Sequence, residues 1–137
     1  MKVLHFYKTS LPDSIGGIEQ AIHQIVRGTA QLGVTPEVLS LNPLNTESIV
    51  DFDGYRVHRC RTTFEIASTP FSIVAFHRFL QLASKADIIH YHFPYPFADV
   101  LHFSTRVKKP TILTYHSDII KQKVLLKLYN PLKRLFL

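Results

Sequence analysis

Cysteine and long apolar runs are scarce in this sequence of 137 residues. Cys60 is the single cysteine, so the chain cannot form an internal disulfide, and this fits a reducing compartment. No apolar run approaches the roughly 20 residues that a membrane-spanning helix needs. No basic segment followed by an apolar one marks a signal peptide at the N-terminus. We therefore expect a cytoplasmic protein that forms one domain or part of one.

The usual fingerprints of nucleic-acid and nucleotide binding are also missing. The sequence has no recognition-helix motif, no paired aromatics typical of an RNA-binding sheet and no P-loop lysine. Its formal net charge is nevertheless +6, which favours a partner of opposite sign, such as nucleic acid, an anionic membrane face or a nucleotide-sugar. Because no recognition motif is present, we expect no nucleic-acid partner and retain the other two.

Strands and helices alternate along most of the chain. The predicted strands cover residues 3–6, 37–41, 48–51, 55–58, 62–66, 87–92 and 110–115, and the predicted helices cover 17–32, 97–105, 119–130 and a segment that begins at Pro70. Asp53-Gly54 is a hairpin-turn signal between two of these strands. Strand–helix alternation elsewhere is typical of a parallel sheet. We therefore predict an α/β fold with a parallel sheet, helices on both faces and an inserted β-hairpin.

The start of the second predicted helix follows from local capping preferences. Thr69 is a suitable N-cap, and Pro70 fits the first helical position because its missing N–H is not needed there. The predicted buried stripe of this helix consists of Ile73, Phe76, Leu80 and Ala83.

A glycine pair joins the first strand to the first helix. Gly16 and Gly17 would allow close approach of a ligand to the backbone, and the unpaired N–H groups of a helix N-terminus attract anions. Glu19 lies in the first helical turn, where it either stabilises the helix or contacts a ligand hydroxyl. The alternative is that this segment is a plain tight turn before a surface helix.

Histidines mark the ends of two predicted parallel strands. His90 and His92 share one face of a strand, His116 ends the next strand, and His5 lies on the first. Ligands of such sheets bind beyond the carboxyl ends of the strands. One interpretation is a zinc site with an open fourth position. Another is that His92 or His116 binds a polar ligand while His90 is structural, and a third is that all are satisfied edge histidines.

The last predicted helix is amphipathic and cationic. Lys121, Lys123 and Lys127 share it with several apolar residues, which suits an anionic lipid surface or a phosphorylated acceptor. Asp118 could act as a general base by residue type, and it would serve equally well as the N-cap of this helix.

Four motifs occur together along the chain. They are Ile15-Gly16-Gly17-Ile18-Glu19, Asp53-Gly54-Tyr55-Arg56-Val57, the segment from Asp87 to Pro94 (DIIHYHFP) and the segment from Thr114 to Ile119 (TYHSDI). In this order they resemble the N-terminal half of retaining glycosyltransferases of family 4, which have the GT-B architecture of two facing Rossmann-like domains. The resemblance implies that residues 1–137 form a Rossmann-like sheet, as the incomplete N-terminal domain of a GT-B fold.

The resemblance also implies roles for individual residues. His116 would contact the transferred sugar near the reaction centre and is the predicted catalytic residue. The predicted donor- and acceptor-binding residues are Gly16, Gly17, Glu19, His92, Ser117, Asp118 and Lys121. The substrates would be a nucleotide-sugar, with GDP-mannose the best guess, and a glycan or lipid-linked acceptor for surface polysaccharide. No metal or other cofactor is expected, and the protein would be cytoplasmic or peripheral on the inner face of the membrane.

The chain departs from that family in one respect. Family members hold the nucleotide mainly in a C-terminal domain with a Glu-x7-Glu pair, and this sequence contains no such pair. We therefore expect that the domain is truncated at its C-terminal end, that it lacks transferase activity alone, and that the apolar end could self-associate. The alternatives are a non-catalytic module that binds an anionic membrane or polymer, and a metal hydrolase that uses His90, His92 and His116.

Overall fold

The computed structural model describes residues 1–11, 16–42, 47–66, 69–93, 95–106 and 108–116. Its strands are β1 (Lys2–Phe6), β2 (Thr35–Asn42), β3 (Ser48–Phe52), β4 (Tyr55–Arg61), β5 (Phe64–Ile66), β6 (Thr69–Phe71), β7 (Ile88–Phe93) and β8 (Thr111–Tyr115). Its helices are α1 (Gly17–Gln31), α2 (Ile73–Lys85) and α3 (Pro96–Thr105). The predicted last helix lies outside the described residues.

Six of these strands form one mostly parallel sheet in the order β3-β4-β2-β1-β7-β8. Strand β1 pairs in parallel with β2 and β7, β2 with β4, and β7 with β8, while β3 is antiparallel to β4. The chain passes from β1 through α1 to one side of the sheet, and later through α2 to the other. Because such crossovers are right-handed, the two helices cover opposite faces. The predicted α/β fold is confirmed.

Side-chain alternation separates the two faces of the central strands. Leu4 and Phe6 of β1 are buried, and the ring of Phe6 packs against Phe79 of α2 at a centroid distance of 5.9 Å. His5 lies between them in sequence and therefore points to the opposite face. The register aligns His5 with His90 of β7, so an apolar face and a histidine face share the same two strands.

The predicted hairpin is confirmed at its turn. Asp53 and Gly54 both have positive φ, 50° and 88°, which is the requirement of a type I′ turn. His23 and Arg27 of α1 each approach the Asp53 carboxylate at 3.2 Å. These contacts attach the hairpin to the first helix.

The predicted start of the second helix is wrong. Thr69 and Pro70 lie in β6, where Pro70 pairs with Glu65 of β5, and α2 begins only at Ile73. Ser72 is the N-cap, and its Oγ accepts a hydrogen bond from the N–H of Ala75 at 3.0 Å. Proline lacks a backbone N–H and is tolerated on edge strands, and both strands of a two-stranded sheet are edge strands.

The buried stripe of α2 consequently differs from the predicted one. Ala75, Phe79 and Ala83 are the buried residues, whereas Ile73 and Leu80 are 59% and 40% exposed. Only Ala83 was predicted correctly as fully buried.

None of the described helices is long and apolar enough to cross a membrane.

Candidate functional site

The site is built at one edge of the sheet, where β1, β7 and β8 end. These strands are parallel neighbours, so their carboxyl ends meet at the same edge. The chain leaves β1 towards Gly16 and the N-terminus of α1, and it leaves β8 at His116. The backbone N–H of His116 donates to the carbonyl of Phe93 at 2.9 Å, which fixes the exit of β8 against the end of β7. The topology therefore predicts ligand binding at this edge.

Three histidines form a continuous chain from the core to this edge. Nδ1 of His5 lies 3.1 Å from Nε2 of His92, and Nδ1 of His92 lies 3.0 Å from Nε2 of His116. His5 and His92 are buried, with exposed fractions of 1% and 0%, whereas His116 is only partly buried. Contact of His92 with a ligand would therefore run through His116, and direct binding by His92 stays a prediction.

His90 flanks this chain. Its Nε2 lies 2.6 Å from Oγ1 of Thr114 on β8, and its ring stacks on His92 with centroids 4.3 Å apart. These contacts are those of a packed residue on the interior of the sheet, as expected if His90 is structural.

Burial keeps these histidines neutral. Burial first, and the nearby His90 second, lower the pKa of His5 to about 3. Burial and then His116 lower the pKa of His90 to about 4. Burial also lowers the pKa of His92. It lowers the pKa of His116, at the edge of the sheet, as well. At neutral pH each ring thus has one N–H and one lone pair.

The ring nitrogens bear directly on the zinc alternative. Those of His5, His90 and His92 come within 4.8 Å of one another, so the histidines that the structure clusters include His5 in place of His116. However, both nitrogens of His92 already face other histidines, and Nε2 of His90 faces Thr114. A zinc ion would need lone pairs that converge on it at about 2.0–2.1 Å, and His92 has no ring nitrogen outside these contacts.

The glycine pair begins α1 as predicted. Gly16 is the N-cap and offers no side chain to cap the helix. A Cβ at Gly16 would lie 2.8 Å from Oε2 of Glu19, so the carboxylate occupies the space that the missing side chain leaves. Glu19 is buried and occupies the third helical position, where glutamate can reach back over the N-cap. This geometry supports the structural role of Glu19.

Gly17, by contrast, faces open space. A Cβ there would meet no atom within 4 Å among the described residues. Replacing Gly17 with alanine should therefore keep the fold and raise the unfolding free energy by about 0.5–1 kcal/mol, because alanine has less freedom to lose on folding. If the turn binds donor phosphates, the same methyl group should weaken donor binding.

Gly28→Ala is the matched control for Gly17→Ala, since Gly28 also has open space but lies in the middle of α1. Thermal unfolding and donor affinity would be measured for both variants in an active protein. Donor affinity unchanged by Gly17→Ala would support the alternative of a plain tight turn.

Sequence reasoning missed the connection from His5 to His92. His5 lies on the first predicted strand, but its partner His92 is 87 residues away in the sequence. The period-two pattern was the available signal, since His5, His90 and His92 fall on one face once β1 and β7 are neighbours. Three predicted binding residues, Ser117, Asp118 and Lys121, lie outside the described residues.

A mostly parallel α/β sheet with helices on both faces defines a Rossmann-like domain. The chain belongs to Glycosyltransferase Family 4, whose family model matches residues 15–137. It is 50% identical over all 137 residues to the D-rhamnosyltransferase WbpZ of Pseudomonas aeruginosa and to the O-antigen chain mannosyltransferase C of Escherichia coli. The chain spans 36% and 37% of the length of these curated relatives.

Proposed function

We propose that this chain is the acceptor-side part of a retaining glycosyltransferase that moves a hexose from a nucleotide-sugar to a glycan or lipid-linked acceptor. The feature that carries the proposal is that the Gly16–Gly17 turn follows β1 and His116 follows β8, two parallel strands of one sheet, in a family 4 chain. The chain is 50% identical to two glycosyltransferases, one of which is named for O-antigen, and this supports surface polysaccharide as the product.

Electrostatics explain why a glycine turn suits this reaction. A nucleoside diphosphate leaves with negative charge, and transfer is faster when positioned dipoles or cations stabilise it. The N-terminus of α1 supplies the positive end of a helix dipole, which favours a bound anion. No atom of the described residues lies within 4 Å of the Cβ position of Gly17, which would allow such an anion to approach the backbone.

His116 would act on the sugar rather than on the phosphates. It is partly buried at the end of β8, and burial lowers its pKa, so the ring is neutral at physiological pH. A neutral imidazole offers a directional hydrogen bond to a sugar oxygen without adding charge. GDP-mannose is the proposed donor and mannose the transferred sugar, since one of the two relatives is named a mannosyltransferase.

The proposed acceptor class and cellular location are based on the net charge of the chain. The net charge of +6 favours an anionic, lipid-linked acceptor at the inner face of the membrane over a neutral glycan in solution. Acceptor class, membrane contact and cytoplasmic location are parts of this proposal.

A chimera tests the proposal. The 137 matching residues of the E. coli O-antigen chain mannosyltransferase C would be replaced by this chain. Incubated with GDP-mannose and the acceptor of the E. coli enzyme, the chimera should transfer mannose, and NMR should show the anomeric configuration of the donor retained.

The isolated chain serves as the comparison. It should transfer no sugar, because the groups that hold the nucleotide in the family are not in this sequence. Transfer by the isolated chain would contradict its assignment as one part of the enzyme. A folded chimera that binds anionic vesicles but transfers nothing would favour the docking module instead.

A further inference from the structure

The hydrogen bonds among His5, His92 and His116 leave the two ends of this row of imidazoles in different environments. Both ring nitrogens of His92 are engaged, one with His5 and one with His116. Nε2 of His5 is buried without a hydrogen-bond partner among the described residues. His116 has a nitrogen to spare, since its Nδ1 makes no hydrogen bond to the described part of the chain. Among the described residues, the row of three histidines therefore has one closed end in the core and one free end at the sheet edge.

The hydrogen bonds of neutral imidazoles restrict the positions of their protons. A neutral ring has one N–H and one lone pair, so His92 must donate to one neighbour and accept from the other. Both contacts join Nδ1 of the inner ring to Nε2 of the outer ring. All three histidines must consequently carry the proton on the same atom, either on Nδ1 or on Nε2.

The buried end distinguishes the two arrangements. With protons on Nε2, His5 would bury an N–H that has no acceptor, and such orphaned donors are rare in folded proteins. With protons on Nδ1, His5 donates to His92, His92 donates to His116, and only a lone pair remains unpaired in the core. The second arrangement leaves Nδ1–H of His116 pointing away from its partner in the chain, as a donor for a ligand.

We infer that His5 and His92 are positioning residues that fix the proton of His116 on Nδ1 and so make His116 a hydrogen-bond donor at the ligand edge. The ligand atom that it binds is then an acceptor oxygen, such as a sugar hydroxyl oxygen. The step concerning sugar rests on the proposed function, whereas the proton positions rest on the fold alone. Neither His5 nor His92 needs to touch the substrate.

The first experiment measures the proton positions directly. In the full chain labelled with ¹⁵N-histidine, long-range ¹H–¹⁵N spectra at neutral pH identify the protonated nitrogen of each ring, and His→Gln variants assign the signals. We expect Nδ1–H in His5, His92 and His116. Nε2–H in any of the three would overturn the inference, whether or not the protein transfers sugar.

The second experiment replaces His92, the middle one of the three hydrogen-bonded histidines. In His92→Leu, which removes both hydrogen bonds, His116 should exchange between its two tautomers and show averaged ring shifts. In His92→Gln, whose amide can both donate and accept, the Nδ1–H tautomer should persist. His116 keeping one tautomer in His92→Leu would contradict a positioning role, and the wild-type spectrum decides the question if that variant does not fold.

The chimera links the proton position to turnover. Because the wrong tautomer of a catalytic imidazole can cost up to about 10⁴-fold in rate, we expect His92→Leu to lower kcat at least about tenfold, and His92→Gln to restore part of it. His77→Leu, on the exposed surface of α2, is the control and should leave kcat unchanged. Unchanged kcat in His92→Leu would overturn the inference, whereas an inactive wild-type chimera would count against the proposed function alone.

Discussion

Replacing His116 with alanine in the chimera is expected to lower kcat by about 10²–10³-fold, the loss typical of one positioned donor at a reacting centre. His116 directly follows β8 at the proposed binding edge, and its Nδ1 makes no hydrogen bond within the described residues. The variant removes this donor while the buried His5 and His92 remain in place. KM should change much less than kcat, because the hydrogen bond is expected to strengthen in the transition state.

His77→Ala is the control for this measurement, since His77 is an exposed histidine of α2 that lies outside the histidine chain. Steady-state kinetics of the two variants would be compared with those of the unmodified chimera, after thermal unfolding has confirmed that each is folded. Equal turnover in His116→Ala and His77→Ala would contradict a catalytic role for His116.

Mild acid is expected to destabilise the chain strongly because its buried histidines fold in the neutral form. The pKa of His5 falls from 6.5 to about 3 and that of His90 to about 4. Below pH 6.5 the unfolded chain therefore binds protons that the folded chain does not. Stability is complete above that pH and is lost as the pH falls towards the folded values, by about 1.4 kcal/mol per pH unit for each such histidine.

Urea unfolding at about pH 7.5 and about pH 5 measures this effect. His5 alone should contribute a loss of about 2 kcal/mol between pH 7.5 and 5. His5→Leu should reduce the pH dependence by about one proton. A free energy of unfolding that stays constant across this range would mean that the cluster is protonated in the folded state.

Local sequence signals were sufficient for much of the fold. Asp53-Gly54 specified the hairpin because both positions need positive φ, which few other residue pairs adopt easily. Helix α1 was predicted from its periodic apolar residues, and Ile22 and Val26 are indeed buried. In both cases the information lies within a few residues of the feature.

The errors arose where two local signals competed. Thr69-Pro70 and Ser72 are each acceptable helix starts, and the choice depends on whether Pro70 pairs with β5. That pairing is a tertiary contact, as is the packing of Phe79 against Phe6 that decides which side of α2 is buried. Sequence periodicity alone placed most of the predicted buried stripe of α2 one residue away from the buried positions that the structure shows.

The histidine chain required knowledge of the strand order. His5 and His92 become neighbours only because the chain crosses from β4 past β2 to form β7 beside β1. The sequence identified His92 and His116 as candidates through their positions at strand ends. It could not show that His92 would be buried behind His116, because that depends on the register between β7 and β8.

We propose that the Gly16–Gly17 turn and His116 border one site for a sugar and its phosphates. A crystal structure of the chimera with an unreactive analogue of GDP-mannose tests it most directly. We predict the diphosphate against the backbone of Gly16 and Gly17, and a sugar oxygen within hydrogen-bond distance of Nδ1 of His116. An analogue bound with its sugar away from His116 and its phosphates away from the N-terminus of α1 would contradict the claim.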